Sequence, residues 1–345
     1  MNARERVFAA LDFTAPGVVP VEFHPSPAGM HEHGVALRDL MCEHGQDFGD
    51  PAEFALPAPS PDAVDEEGNY YERKRDIWGV LWEHRIFGIA GHPLERPLDD
   101  WARLAGWAAP EPLATSGPEF ETEREQARRH QERFFLKSGW INVFEVLIGV
   151  RRFEDVLMDI ALDAPEIHEL ADRIVAYQKA VVTQLLARGV DAVQLADDFG
   201  SQEGPLMSPA MWRKFLKPRY AELIAPIKEA GKKVFFHSCG MVRDLLAELA
   251  ELGCDAVWPQ LPLYEACELA RTTRDLGLAV AIHPDRSHLM TFGSPAEVRR
   301  TVLELAETFQ VSQGGSWFYV EIDNGFPFEN VQALLGAIGE LRGGA

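Results

Sequence analysis

Residues 233–240 read Lys-Val-Phe-Phe-His-Ser-Cys-Gly, a short apolar run ending in two groups that can hold a metal ion. Such a run is too short for an ordinary helix and rich in residues that favour strands. Ahead of it, Ser208-Pro209 places a cap serine before a first-turn proline, and Met211, Trp212, Phe215 and Leu216 follow on one helical face. Beyond it comes another helical pattern and then a second apolar run, Asp255–Trp258. The alternation continues in both directions. It predicts strands at Val18–Phe23, Gln46–Gly49, Trp140–Val146, Asp191–Ala196, Lys233–Ser238, Asp255–Trp258, Leu278–His283 and Trp317–Ile322. Asp163-Ala-Pro-Glu166 and Ser294-Pro-Ala-Glu297 predict capping boxes at two of the intervening helices.

Strands alternating with helices make a parallel sheet, and about eight units favour a closed (β/α)8 TIM barrel. No glycine-rich turn follows the first strand, which argues against a dinucleotide-binding fold. The expected organisation is one α/β barrel domain over residues 1–345. An elaboration between strands 2 and 3, at about residues 50–135, would carry a short hairpin from Ile77–Trp82 and Arg85–Ile89.

Composition narrows the function. Of 345 residues 46% are hydrophobic, enough for a large core, and the formal net charge is −21. That charge repels nucleic acid and anionic membrane surfaces. The four cysteines show no paired framework, and no apolar signal core or membrane-length run stands in the sequence. A reducing, cytoplasmic setting is expected, with a small molecule as substrate.

Barrel enzymes carry their chemistry at the carboxyl ends of the strands. Those ends offer His24, Glu145, Asp197 with Asp198, His237 with Cys239, Trp258 with Gln260, His283 with Asp285, and Glu321 with Asp323. In an extended chain, His237 and Cys239 project to the same side, and imidazole with thiolate suits zinc. The same pair is compatible with a hydrogen-bonding histidine beside an inert thiol. A zinc site open to substrate needs a third protein ligand, for which Glu321 is the remaining candidate; Glu321 could instead bond a basic neighbour. Asp197, Asp198 and Glu145 are candidate catalytic groups for proton handling. Alternatively an aspartate there caps backbone amides, and Glu145 pairs with Arg151 or Arg152. His24, Gln260, His283 and Asp285 are candidate substrate contacts, with backbone-satisfied histidines as the alternative. Trp78, Trp82 and Trp140 read as packing.

Several stretches together resemble the uroporphyrinogen decarboxylase superfamily. They are Arg4-Glu-Arg6-Val-Phe-Ala-Ala-Leu11, Asp76-Ile-Trp78-Gly79, Asp197-Asp198-Phe-Gly200-Ser-Gln202, Phe236-His237-Ser-Cys239-Gly240, Pro259-Gln260 and Pro327-Phe-Glu329-Asn330. They span nearly the whole chain in the expected order. The resemblance is closest to the corrinoid-dependent zinc methyltransferases, such as methylcobamide:coenzyme M methyltransferase. It implies zinc on His237 and Cys239, a methyl group moved between a corrinoid on a partner protein and a thiol or methylated small molecule, and a homodimer. The later cysteine ligand of those enzymes is missing from residues 317–328, which leaves its place to Glu321. The resemblance also admits cofactor-free decarboxylation, but the loop His24-Pro-Ser-Pro-Ala-Gly-Met30 lacks the arginines that hold substrate carboxylates in decarboxylases. A third reading is a corrinoid- or small-ligand-binding protein without chemistry of its own.

Overall fold

A computed structural model describes residues 1–343. Ten strands form: β1 (Val21–Phe23), β2 (Glu72–Arg75), β3 (Leu81–His84), β4 (His92–Glu95), β5 (Lys137–Ile141), β6 (Ala192–Ala196), β7 (Lys233–Ser238), β8 (Ala256–Pro259), β9 (Ala279–Ile282) and β10 (Ser316–Val320). Seven of them make one curled parallel sheet in the order β1-β10-β9-β8-β7-β6-β5. Helices cover its outer face, where a large apolar cluster fills the space between the layers. The smaller inner cluster includes Ala192, Ala256, Ala279 and Ala281. Their small side chains leave room for Val7 and Leu11 of the N-terminal helix Ala3–Leu11, which join the same cluster. No helix among the described residues is long and apolar enough to cross a membrane.

The fold departs from expectation in four places. The predicted strand Gln46–Gly49 does not form, so the sheet has seven strands, not eight. Side chains take over the work of a ladder there. Asp47 Oδ2 accepts from the Val21 amide at 2.9 Å, and Gln46 Oε1 accepts from the Phe23 amide at 2.8 Å. Single backbone bonds then link the segment to both flanks, from the Asp47 amide to the Val21 carbonyl and from the Phe135 amide to the Asp47 carbonyl. The carboxylate of Asp47 is fully buried and is neutralised by Arg6 and, at 2.7 Å, by Arg342.

The predicted strand Trp140–Val146 is instead the end of β5 followed by the helix Phe144–Val150. The carboxylate of Asp197 receives the amides of Val143 and Glu145, both at 2.6 Å, which satisfies donors at the start of that helix. In the elaboration, Ile77–Val80 is a turn and not a strand. Asp76 Oδ1 accepts from the amides of Trp78 and Val80, and β2, β3 and β4 form an antiparallel sheet around it. Finally, the Asp163 box is absent. Asp163 ends the preceding helix in a left-handed conformation, φ 56°, and its carboxylate pairs with His168 and Lys214. The Ser294–Glu297 box and the Ser208 cap form as predicted.

Candidate metal centre at the barrel mouth

The strands β6 and β7 run in register, Ala196 beside His237, and the loops that follow them stay together. The Gly200 amide bonds the Cys239 carbonyl, the Met241 amide bonds the Ser201 carbonyl, and the Phe199 amide bonds Ser238 Oγ. Contact is so close that a Cβ on Gly240 would lie 2.1 Å from the carbonyl carbon of Gly200. Gly240 also has φ 77°, a region that disfavours other residues. These two glycines are why Asp197-Asp198-Phe-Gly200 and His237-Ser-Cys239-Gly240 can lie side by side.

The result is a tripod. One ligand atom from each of Asp198, His237 and Cys239 lies within 4.8 Å of the others. His237 Nε2 is 3.4 Å from Cys239 Sγ and 3.5 Å from Asp198 Oδ1. Around a tetrahedral zinc with ordinary bond lengths, an N–S edge is about 3.5 Å and an N–O edge about 3.4 Å. The donor set therefore fits zinc in both chemistry and spacing. His237 Nδ1 donates to the Trp258 carbonyl at 2.8 Å, which leaves Nε2 as the lone pair facing the tripod. Burial holds the His237 pKa down at about 4, so the ring is neutral and able to ligate. Burial, with Asp198 adding to it, pushes the Cys239 thiol up to about 12. A cation would reverse that preference.

Around the tripod, the predicted residues separate. Asp197 is fully buried, and Tyr220 gives its carboxylate a third donor beside the two amides, at 2.5 Å. Its oxygens are thus spent on holding the backbone between Val143 and Glu145 against the loop that bears Asp198. Burial pushes its pKa up to about 7 against those three donors. Glu145, in the first turn of the helix Phe144–Val150, stands near Asp197 and Asp198. Burial first, and then those two carboxylates, raise it to about 8. Glu321 is outside the tripod. It stands 2.5 Å from Arg286 as an ion pair, Arg286 donates its hydrogen bond to Asp323 at 3.1 Å, and burial raises Glu321 to about 7 despite the guanidinium.

Of the four predicted substrate contacts, His24 sits at the mouth, stacked on Tyr319 with ring centroids 5.6 Å apart. The other three have partners within the protein. Gln260 Oε1 accepts from the Gly240 amide, His283 is buried with each ring nitrogen near a proline carbonyl, and Asp285 caps Ser287 and His288. Sequence reasoning missed Arg286, whose position depends on a loop. It also took Trp140 for packing. That side chain is 52% exposed, and its ring lies 5.9 Å from His237 and 6.4 Å from Trp258. The signal for Lys137 and Gln194 was present as polar groups inside or next to apolar runs, whereas Tyr220 stands among charged neighbours and carried no such signal.

A curled, half-barrel parallel sheet with sulfur, nitrogen and oxygen donors gathered at its carboxyl edge defines an α/β protein with a candidate mononuclear metal tripod. Residues 135–341 match the uroporphyrinogen decarboxylase (URO-D) family, and the chain belongs to that family. Among solved structures it is similar to a methyltransferase from Methanosarcina mazei, with a TM-score of 0.68, 17% identity and 99% of each chain covered. That likeness shows a shared fold. A B12-independent methionine synthase from Shewanella sp. W3-18-1 is more distant, with a TM-score of 0.45, 10% identity, and 91% of this chain and 86% of that chain covered. No curated protein sequence matches the chain.

Proposed function

We propose that the chain is a zinc-dependent methyltransferase that moves a methyl group between a protein-bound corrinoid and a small thiol or methylated compound. The observation that carries this reading is the tripod of Asp198, His237 and Cys239, whose two edges at His237 match tetrahedral zinc. Asp198 takes the place that sequence reasoning gave to Glu321. Zinc held there would supply a Lewis-acid position at which a substrate thiol loses its proton near neutral pH. The residues do the rest. Trp258 orients His237 through its carbonyl, and Gln260 and the paired glycines hold the Cys239 loop. Asp197 and Tyr220 keep Asp198 and Glu145 in place from beneath. Glu145 lies beside the tripod with its pKa raised to about 8, so most of it is protonated at neutral pH and its ionised fraction is the base that takes the thiol proton. A methylcorrinoid on a partner protein would supply the methyl group to the substrate sulfur, its cobalt keeping the electron pair of the broken cobalt–carbon bond.

Porphyrinogen decarboxylation has less support. Of the two carboxylates near the position of a decarboxylase aspartate, Asp47 is fully buried between Arg6 and Arg342, and Asp50 pairs with Arg133. Metal analysis of protein purified without chelators tests the proposal, together with methyl transfer from methylcobalamin to 2-mercaptoethanol followed by cobalamin absorbance. Stoichiometric zinc and turnover, both lost in a His237→Ala Cys239→Ala variant, are expected. Substoichiometric zinc in the intact protein would overturn it.

A further inference from the structure

Beside the tripod, and separate from it, lies a cavity of about 420 Å³. It opens where the eighth strand is missing, between β1 and β5, and Phe48 and Phe54 form part of its wall. Trp140 is the wall nearest the tripod. The cavity reaches the barrel interior at Glu22, Lys137 and Gln194. Gln194 precedes Ala196 by two residues, and Ala196 pairs with His237. This polar floor therefore lies one layer, about 6.6 Å, below the level of the tripod.

The floor is unusual for a barrel core. Glu22 is 4% exposed, and its Oε1 is 2.6 Å from Lys137 Nζ. A buried ion pair is seldom more stable than apolar residues of the same volume, so stability alone does not explain it. Lys137 Nζ also sits 5.4–5.8 Å from the ring centres of Phe48, Phe235 and Tyr319. Gln194 is only 5% exposed, and it lines the cavity beside that pair. The strand β5 is bent to serve this space. Its register shifts between Ser138 and Ile141, Gly139 has φ 97°, and both Lys137 and Trp140 line the cavity as a result.

We propose that this cavity binds a small zwitterion, with an ammonium and a carboxylate on one carbon as in an α-amino acid. The ammonium donates to Glu22, and the carboxylate accepts from Lys137 and the Gln194 amide. The aliphatic or aromatic tail runs along Trp140 towards the tripod. A net anion would leave Glu22 facing like charge, and a net cation would do the same to Lys137. A zwitterion meets both charges. At the outer rim Asp50 is met by Arg133 at 3.4 Å, and Glu53 adds a carboxylate on the side that an ammonium would face. The site stands on the cavity alone, whether or not the tripod holds zinc.

The test uses L-norvaline with pentanoate and butylamine, which keep only its carboxylate or only its ammonium. Each is titrated into the full-length protein, with and without added zinc, by calorimetry and tryptophan fluorescence. Norvaline should bind at least about tenfold more tightly than either comparison compound. Gln194→Leu should weaken it about five- to tenfold, and a Lys137→Met Glu22→Gln double variant should abolish the preference for norvaline. Circular dichroism confirms that each variant is folded. Because none of the probes is a thiol, binding is read independently of metal loading. Equal or tighter binding of pentanoate or butylamine overturns the proposal. So does no binding of norvaline up to about 50 mM, or a preference that survives in the folded double variant.

Discussion

The two sides of the barrel mouth are built differently. At β6 and β7, neighbouring strands keep register to their last residues, and the following loops are latched glycine to glycine. Between β1 and β5, a strand is missing, side-chain oxygens replace ladder carbonyls, and a cavity opens. The first side holds three ligand atoms within a few ångströms, as a metal site requires. The second offers space instead. A sheet that closed regularly all round would have a packed interior and less room for a ligand.

The largest expected effect tests whether the tripod, and not its surroundings, holds zinc. Asp198→Ala should weaken zinc binding more than about 100-fold, beyond the usual effect of an outer-shell change, while Glu321→Ala should keep stoichiometric zinc. Competition with a chromophoric chelator measures both. Equal losses would erase the distinction between a tripod and its surroundings. Next comes the latch. Gly240→Ala forces a Cβ to within 2.1 Å of the Gly200 backbone, and a loss of about 3 kcal/mol in denaturant unfolding is expected. Gly68→Ala in the elaboration also has positive φ but meets nothing within 4 Å, so it should cost only about 1 kcal/mol. Similar losses at the two glycines would show that the latch adds nothing beyond local backbone strain.

Tyr220→Phe removes one of three donors to buried Asp197, and about 1–3 kcal/mol of stability should go with it. Cobalt(II) substituted at the tripod should show an altered visible spectrum in this variant, a change that a purely structural role would not produce. The smallest effect is electrostatic. The Glu145 pKa stands at about 8 in the folded chain against 4.5 ordinarily, so the folded state binds the extra proton. Stability from this group is present below pH 4.5 and is lost as pH rises through about 8. Glu145→Gln should therefore raise Tm by about 2–4 °C at pH 8.5 and leave it unchanged at pH 4.

The same contrast explains what was legible in the sequence. The regular side could be read from alternation and strand-end residues, because β6 to β10 are short apolar runs whose ends carry His237, Cys239 and Asp198. The irregular side could not. Gln46–Gly49 has the length of a strand, but Asp47 and Gln46 place their side chains where a carbonyl would go, a choice made by Arg6 and Arg342 from distant parts of the chain. Trp140 and Glu145 were read in one strand because nothing local reveals that Asp197, some fifty residues on, starts a helix at Phe144. That Asp198 lies beside His237 and Cys239, with Glu321 further off, was hidden for a related reason. Only the folded chain shows that Arg286 claims Glu321 and the Cys239 amide steers Asp198.

Asp47 brings together Arg6 from the first helix and Arg342 from the last one, with its Oδ2 also on the Val21 amide. During synthesis on the ribosome, the carboxylate has one of its two guanidinium partners early and lacks the other until residue 342 emerges. The ring of strands can be sealed at its weakest seam only then. A nascent chain arrested a few residues short should remain open at that seam, with its cavity side the last part to gain protection from solvent exchange.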